Sequence, residues 1–382
     1  MNQLAYLWHP LRRLSTNRLS ARRLRSQLPR KFCTMSVNVP GSGRTIDQTM
    51  TEDTTLALEY RYIDIGVNLT DSVFRGRNRG WGSKVIHHED DFDLVIGRSK
   101  QAGVESMIVT CGSLRESKEV LKLAKDHNLY ATLGCHPTRS GDFDKFEGGP
   151  ETYLHCIDET ISRHLEGPGR IVAVGECGLD YDRLHFADKE TQKKHFRSQL
   201  SLAKKYHLPL FLHSRAAAQD LSIILREEGF GEDGGKAVGG RGGVVHSFTG
   251  TVEEMRELHE MGFYFSVNGC STKAADQLET IKQIPLERLM LETDAPWCSM
   301  KPSHASKMHL DTLPPALRCK YFPPAVKGEN FEIGKAVKDR NEPCSVGGVA
   351  WVVSRLHGVP FEDVVDKCWN NTVEVFGLHE LA

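Results

Sequence analysis

Five residues able to bind metal or exchange protons each stand directly after an apolar run: His136, Glu176, His213, His246 and Asp294. Runs of that kind normally exclude such groups, because an unpaired polar or charged side chain is costly to bury. A single histidine so placed is more often a satisfied core residue than a ligand. Five polar groups at five such ends point instead to a shared chemical task. Imidazoles mixed with carboxylates suit a divalent cation, and zinc, manganese and magnesium are all compatible with the donors. A carboxylate such as Glu176 offers two oxygens and can bridge two ions, which together activate water and stabilise the leaving oxygen of a displacement.

The elements that must position these residues are legible in the same stretches. From Arg61 onward, strand-like runs alternate with amphipathic segments: "YIDIGV" (62–67), "VESMIVT" (104–110), "YATLGCH" (130–136), "RIVAVGE" (170–176), "LPLFLH" (208–213), "GGVVHSF" (242–248), "FYFSVNG" (263–269) and "RLMLETD" (288–294). Eight such runs separated by helices favour an α/β fold, a (β/α)8 TIM barrel, over a doubly wound open sheet. In such a barrel the carboxyl ends of the strands share one site, which is where the five residues fall. Ser113–Glu116 and Thr251–Glu254 have the spacing of helix capping boxes. Phe196, Leu200 and Ala203 lie at helical spacing within 188–207. Residues 226–243 read as a flexible surface insertion and 295–343 as a long loop over the barrel mouth. Two closing helices follow, "SVGGVAWVVSRLHG" and "FEDVVDKCWNNTVEVFG".

Composition narrows the class further. The chain has 382 residues, ten cysteines in no C-x-x-C pair, and a formal charge of −1. Irregular cysteine spacing argues against a zinc ribbon or a disulfide framework and for a reducing compartment. No apolar run approaches the roughly 18 residues of a membrane span. Basic residues dominate the start: residues 1–46 carry Arg12, Arg13, Arg18, Arg22, Arg23, Arg25, Arg30, Lys31 and Arg44, with no acid before Asp47. Residues 1–50 therefore read as a basic leader, either a mitochondrial presequence or a disordered arm, and 60–380 as the barrel. The protein is expected in mitochondria if the leader is a presequence, and otherwise in the cytoplasm or nucleus.

Several motifs in register carry a resemblance. "VGECGLDYDR" (174–183), "FLHSR" (211–215), "VVHSFTG" (244–250) and "LETDAPW" (291–297) resemble the metal-binding motifs of TatD-type deoxyribonucleases. "GCHPTR" (134–139) and "KDRNEP" (338–343) resemble its further signatures, and the match runs from about Tyr62 to Gly377. The resemblance implies a metal-dependent phosphodiesterase on a TIM barrel that hydrolyses DNA, often as a 3′→5′ exonuclease with roles in DNA repair or degradation. It implies one or two divalent ions, Mg²⁺ or Mn²⁺ ahead of Zn²⁺, and single-stranded DNA 3′ ends as the partner. It further implies that Glu176 bridges metals, His213 and His246 bind one ion, and Asp294 binds the other and takes the proton of the attacking water. His136 would lie near the substrate phosphate.

One departure stands out. Where many such barrels carry H-x-H at the end of the first strand, this chain has Gly66 and Asn68, as in the eukaryotic branch of the family. Asn68 could offer an amide oxygen to a second ion, or serve only to cap the turn. Basic residues recur in the segments after the strands, among them "FRGRNRG" (74–80), Arg115, Arg139, Arg183, Arg215 and Lys273, in keeping with a focused phosphate site. Trp81 and Trp297 could stack on bases or pack as a buried lid over the barrel mouth. Cys177 has no partner base in the sequence and reads as a small buried residue. His127, His164, His195 and His259 read as solvated helix surface, and "HHED" (87–90) as the lead-in to the first helix. Two other functions fit the same residues: an amide or ester hydrolase such as an aminoacyl-tRNA deacylase, and a non-catalytic nucleic-acid-binding scaffold. No obligate protein partner is indicated.

Overall fold

The computed structural model describes residues 60–77, 84–167 and 169–381. The basic leader, Trp81 and the end of "FRGRNRG" lie outside the described residues. The strand-like runs form β1 (Tyr62–Val67), β2 (Val104–Val109), β3 (Tyr130–Leu133), β4 (Ile171–Asp180), β5 (Leu210–Arg215), β6 (Gly243–Val245), β7 (Tyr264–Val267) and β8 (Leu289–Leu291). Each pairs in parallel with the next, in the spatial order β1 to β8. The ring closes just past β8, where Val67 bridges Ala295 in parallel. There Asp294 N–H donates to the Gly66 carbonyl (2.8 Å) and Asn68 N–H to that of Ala295 (2.7 Å). This is the eight-stranded parallel barrel that the alternating pattern implies.

The helices are α1 (Phe92–Gln101), α2 (Leu114–Asp126), α3 (Gly141–Lys145), α4 (Gly149–Leu165), α5 (Lys189–Tyr206), α6 (Ala218–Glu227), α7 (Val252–Glu260), α8 (Ala275–Gln283), α9 (Lys307–Leu310), α10 (Pro315–Tyr321), α11 (Val346–His357) and α12 (Phe361–Phe376). Local chemistry sets several of their ends. Thr251 and Glu254 form the reciprocal capping box expected at α7. At α2 the expected box is incomplete: the Ser113 side chain makes no capping bond, while the Glu116 carboxylate takes the N–H of Gly112. Phe196, Leu200 and Ala203 bury the inner face of α5. Within the barrel, Ile63 and Ile65 meet Ile108, Phe211, Val244 and Met290, and Trp369 and Phe376 of α12 join that cluster.

Three expectations need correction. Residues 226–243 are not a simple insertion: the segment begins inside α6, buries Phe230 completely and ties Gly234 N–H to the Met261 carbonyl at 2.8 Å. Residues 295–343 carry α9, α10 and a small parallel pair, Ala325–Val326 with Ala336–Val337. His195 is not solvated, being 1% exposed; it stacks on Phe143 at 4.2 Å and bonds to Asp144 at 3.1 Å. A period of 3.6 residues cannot tell an outward polar residue from one covered by a neighbouring helix.

Candidate metal centre

Glu176 stands inside β4, and its carboxylate is the point on which three imidazoles converge. His246, one residue past β6, brings Nε2 to 2.8 Å from Glu176 Oε1, and His213 of β5 brings Nδ1 to 2.9 Å. His136 approaches the same oxygen through Nε2 at 3.3 Å. Phe211 lies against His246 with ring centroids 4.7 Å apart, giving the site an apolar floor. Burial alone would raise the Glu176 carboxyl, but the charges and hydrogen bonds of His246, His136 and His213 hold it well below the usual range. Burial lowers His136. It would also lower His213 and His246, yet carboxylates raise both: Asp180 and Glu176 act on His213, Glu176 and Glu292 on His246.

Asp294 approaches from the other side. Burial, reinforced by the charge of Glu292, pushes its carboxyl up to about 6. Asn68 Nδ2 donates to Asp294 Oδ1 at 2.9 Å, while Asn68 Oδ1 accepts from the Thr110 hydroxyl at 2.8 Å. The amide oxygen is thus engaged by Thr110, and Asn68 orients Asp294. Behind the site, the Asp64 carboxylate takes the N–H of Thr293 at 2.9 Å, and Cys298 Sγ donates to Asp294 Oδ2 at 3.2 Å. The left-handed φ of Asp294 (53°) is the kind of strain that surrounding contacts must hold in place.

Two residues that the strand-end pattern passed over complete the ring. Asp180, buried at the end of β4, sets Oδ2 3.3 Å from His213 Nε2. Glu292 is fully buried, bonded by Ser266 and Asn268 (2.9 and 2.7 Å), with Oε2 3.6 Å from His246 Nδ1. Both were visible inside quoted motifs, "GECGLD" and "LETD", but nothing in spacing marks which carboxylate turns inward. Glu292 also bears on the missing histidine: a Cβ at Gly66 would lie 2.7 Å from its Oε2. The space beside that strand end is filled from β8.

Among the described residues, two groups can hold an ion: Glu176, His213 and His246, and His136, Asp180 and His213, with ligand atoms in each within 4.8 Å of one another. The residues fit a divalent cation. On the ring nitrogens turned away from Glu176, His213 Nε2 meets Asp180 at 3.3 Å and His246 Nδ1 meets Glu292 at 3.6 Å, the carboxylate support that orients metal-binding imidazoles. Glu176, His213, His246 and Asp294 open on a cavity of about 600 Å³ whose wall includes Arg183, Arg215, Trp297 and Cys298. Arg139 and Lys273 are placed elsewhere. Arg139 ends the turn after His136 and lines a neighbouring cavity, and exposed Lys273 precedes α8, its carbonyl bonded to Ala305 N–H at 2.9 Å. Cys177 is buried, with its thiol pushed up by burial and then by the charge of Glu176. Asp90 caps the first N–H of α1 at 3.0 Å, so "HHED" leads into that helix.

The family model described as TatD related DNase matches residues 63–377. A protein of Schizosaccharomyces pombe named deoxyribonuclease Tat-D is 42% identical over 316 residues, 82% of this chain and 95% of that protein. The 3′-5′ ssDNA/RNA exonuclease TatD of Erwinia tasmaniensis is 32% identical over 82% of this chain and 99% of its own length. The crystal structure of an uncharacterised amidohydrolase from Saccharomyces cerevisiae superposes with a TM-score of 0.74 at 31% identity, covering 83% of this chain and 99% of that one. The chain therefore belongs to the TatD-related deoxyribonuclease family of hydrolases.

Proposed function

We propose that this protein hydrolyses phosphodiester bonds in DNA with the help of a divalent cation, working inward from single-stranded 3′ ends. The observation that carries this reading is the convergence of His136, His213 and His246 on one Glu176 oxygen, in a cavity walled by Arg183 and Arg215. A divalent ion, when bound, supplies Lewis acidity at a phosphoryl oxygen and makes water a better nucleophile. Glu176, His213 and His246 would hold it, and Asp180 steadies His213 from the second ring nitrogen. Asp294, kept in place by Asn68 and Cys298, would serve a second metal position and accept the proton of the attacking water. His136 faces the substrate phosphate, while Arg183 and Arg215 offset its charge. The name of the Erwinia relative supports the polarity and the single strand.

Release of nucleotides from a single strand labelled at its 3′ terminus, compared with the same strand blocked there, tests the reading. Wild type should release label with Mg²⁺ or Mn²⁺, and Glu176→Gln should not. Equal cleavage by both proteins would remove Glu176 from the mechanism. Residues 1–50 are proposed as a targeting arm: a fluorescent fusion should lose its mitochondrial signal when they are deleted, and an unchanged location would end that idea.

A further inference from the structure

We propose that a second cavity beside the metal centre binds the stretch of single-stranded nucleic acid leading into it, with phosphates on its cationic rim and a base against Phe146. The inference rests on the nuclease reading, since it assigns the path of the same substrate. The cavity, of about 670 Å³, lies among α2, the turn Pro137–Arg139, α3 and α4. Arg115, Lys118, Arg139, Lys145 and Arg163 line it against only two acids, Asp142 and Glu159. Glu159 is taken up by Arg163 at 3.3 Å, which leaves Lys118, Arg139 and Lys145 facing Asp142.

The lining also includes Leu114, Phe146 and Tyr153. Tyr153 is buried and fixed by its bond with Leu114 N–H at 2.9 Å, and half-buried Phe146 meets it edge-on at 5.3 Å. Cations around an aromatic surface are what a single strand requires, because its phosphates repeat and every base has a face to stack. A lone phosphate would have no use for the apolar part, and an apolar ligand would leave the ring of like charges unrelieved.

Continuity with the metal centre is built into one turn. Arg139 N–H donates to the His136 carbonyl at 2.7 Å, so one end of the turn stands in each cavity. Glu116 lies between them: its carboxyl feels both Arg139 and Glu176, and a Cβ at Gly112 would touch Glu116 and His136 together. A strand whose end occupies the metal centre needs to pass only this partition to reach Lys118 and Lys145.

The test combines binding and turnover. Fluorescence anisotropy of a labelled single strand of roughly a dozen nucleotides, a length set by typical site sizes, is followed across a salt series for wild type and for the double variant Lys118→Glu/Lys145→Glu. Loss of two phosphate contacts should weaken binding roughly tenfold or more and flatten the slope of log K against log salt by about 1.4, at about 0.7 per contact. kcat/KM should fall more for the long strand than for a dinucleotide, which cannot reach the second cavity. The pair Lys118→Gln/Lys145→Gln should show an intermediate loss. Equal affinity and slope in wild type and the Glu pair would overturn the proposal. So would a Gln pair that binds like wild type, because repulsion by the new acids would then explain the effect. If wild type cleaves no DNA but the anisotropy differences appear, the second cavity stands and the nuclease reading falls.

Discussion

Glu176 accepts from His213 and His246 through one oxygen, and His213 is shared by both candidate ion groups. A single tightly held ion is therefore the expected stoichiometry of the free protein, with any second one weak until substrate phosphate is present. Metal counting after dialysis checks this, and two tightly held ions would refute it. Glu176→Gln should reduce metal affinity by at least about 100-fold, the upper end of what loss of a supporting partner alone costs. Affinity for that ion should also fall as pH drops, and the weaker second position should lose Asp294 as a ligand below about 6, the value to which burial and then Glu292 raise it. His213 and His246, both raised, must shed protons to bind an ion, so they act in the same direction. Titration calorimetry across that range would show it; a flat affinity would contradict the assignment. Replacing both Gly66 and Asn68 by His would not rebuild an H-x-H pair, because a Cβ at position 66 meets Glu292 at 2.7 Å. Overpacking of this kind typically costs about 1–3 kcal/mol, readable as a lowered Tm.

At the scale of elements, the "KDRNEP" signature acts as a structural clamp. Arg340 grips both oxygens of Asp91 (2.7 and 2.6 Å) and Glu342 (2.8 Å), and Arg98 of α1 holds Glu342 at 2.7 Å. These buried groups fasten the segment after β8, which carries Cys298 and Trp297, to α1. Arg340→Met would leave two buried carboxylates with less counter-charge, a loss of about 3–5 kcal/mol in denaturant unfolding. A variant as stable as wild type would show that the clamp is dispensable. His195 gives the fold a pH signature. Burial lowers its pKa, with Asp144 opposing, so the folded state favours the neutral ring. Its contribution is fully present above the ordinary value of 6.5 and is lost as pH falls below that value, where the unfolded chain takes up the proton first. His195→Gln should lose that slope in a Tm-against-pH series; an unchanged slope would assign it to other groups.

At the scale of the whole molecule, residues 60–381 contain the complete ring of eight strands, closed between Val67 and Ala295. Removing residues 1–50 should leave its Tm within about 2 °C, a shift below that of a typical single contact. Alternation of apolar runs with amphipathic segments made the barrel legible, because burial on both faces of a parallel strand requires continuous apolar sequence. The strand-end rule then put His136, Glu176, His213, His246 and Asp294 at one mouth. Spacing along the chain could not show that Asp180 and Glu292 also turn inward, that Asn68 holds Asp294 while its oxygen goes to Thr110, or that Arg139 faces a different cavity. Those outcomes depend on which neighbours close over each side chain, contacts made across as many as 226 positions of sequence, as between Asn68 and Asp294. Sequence determined the residue types and the end of the barrel they share; tertiary packing decided which oxygen and nitrogen atoms meet, because a local period carries no information about distant partners.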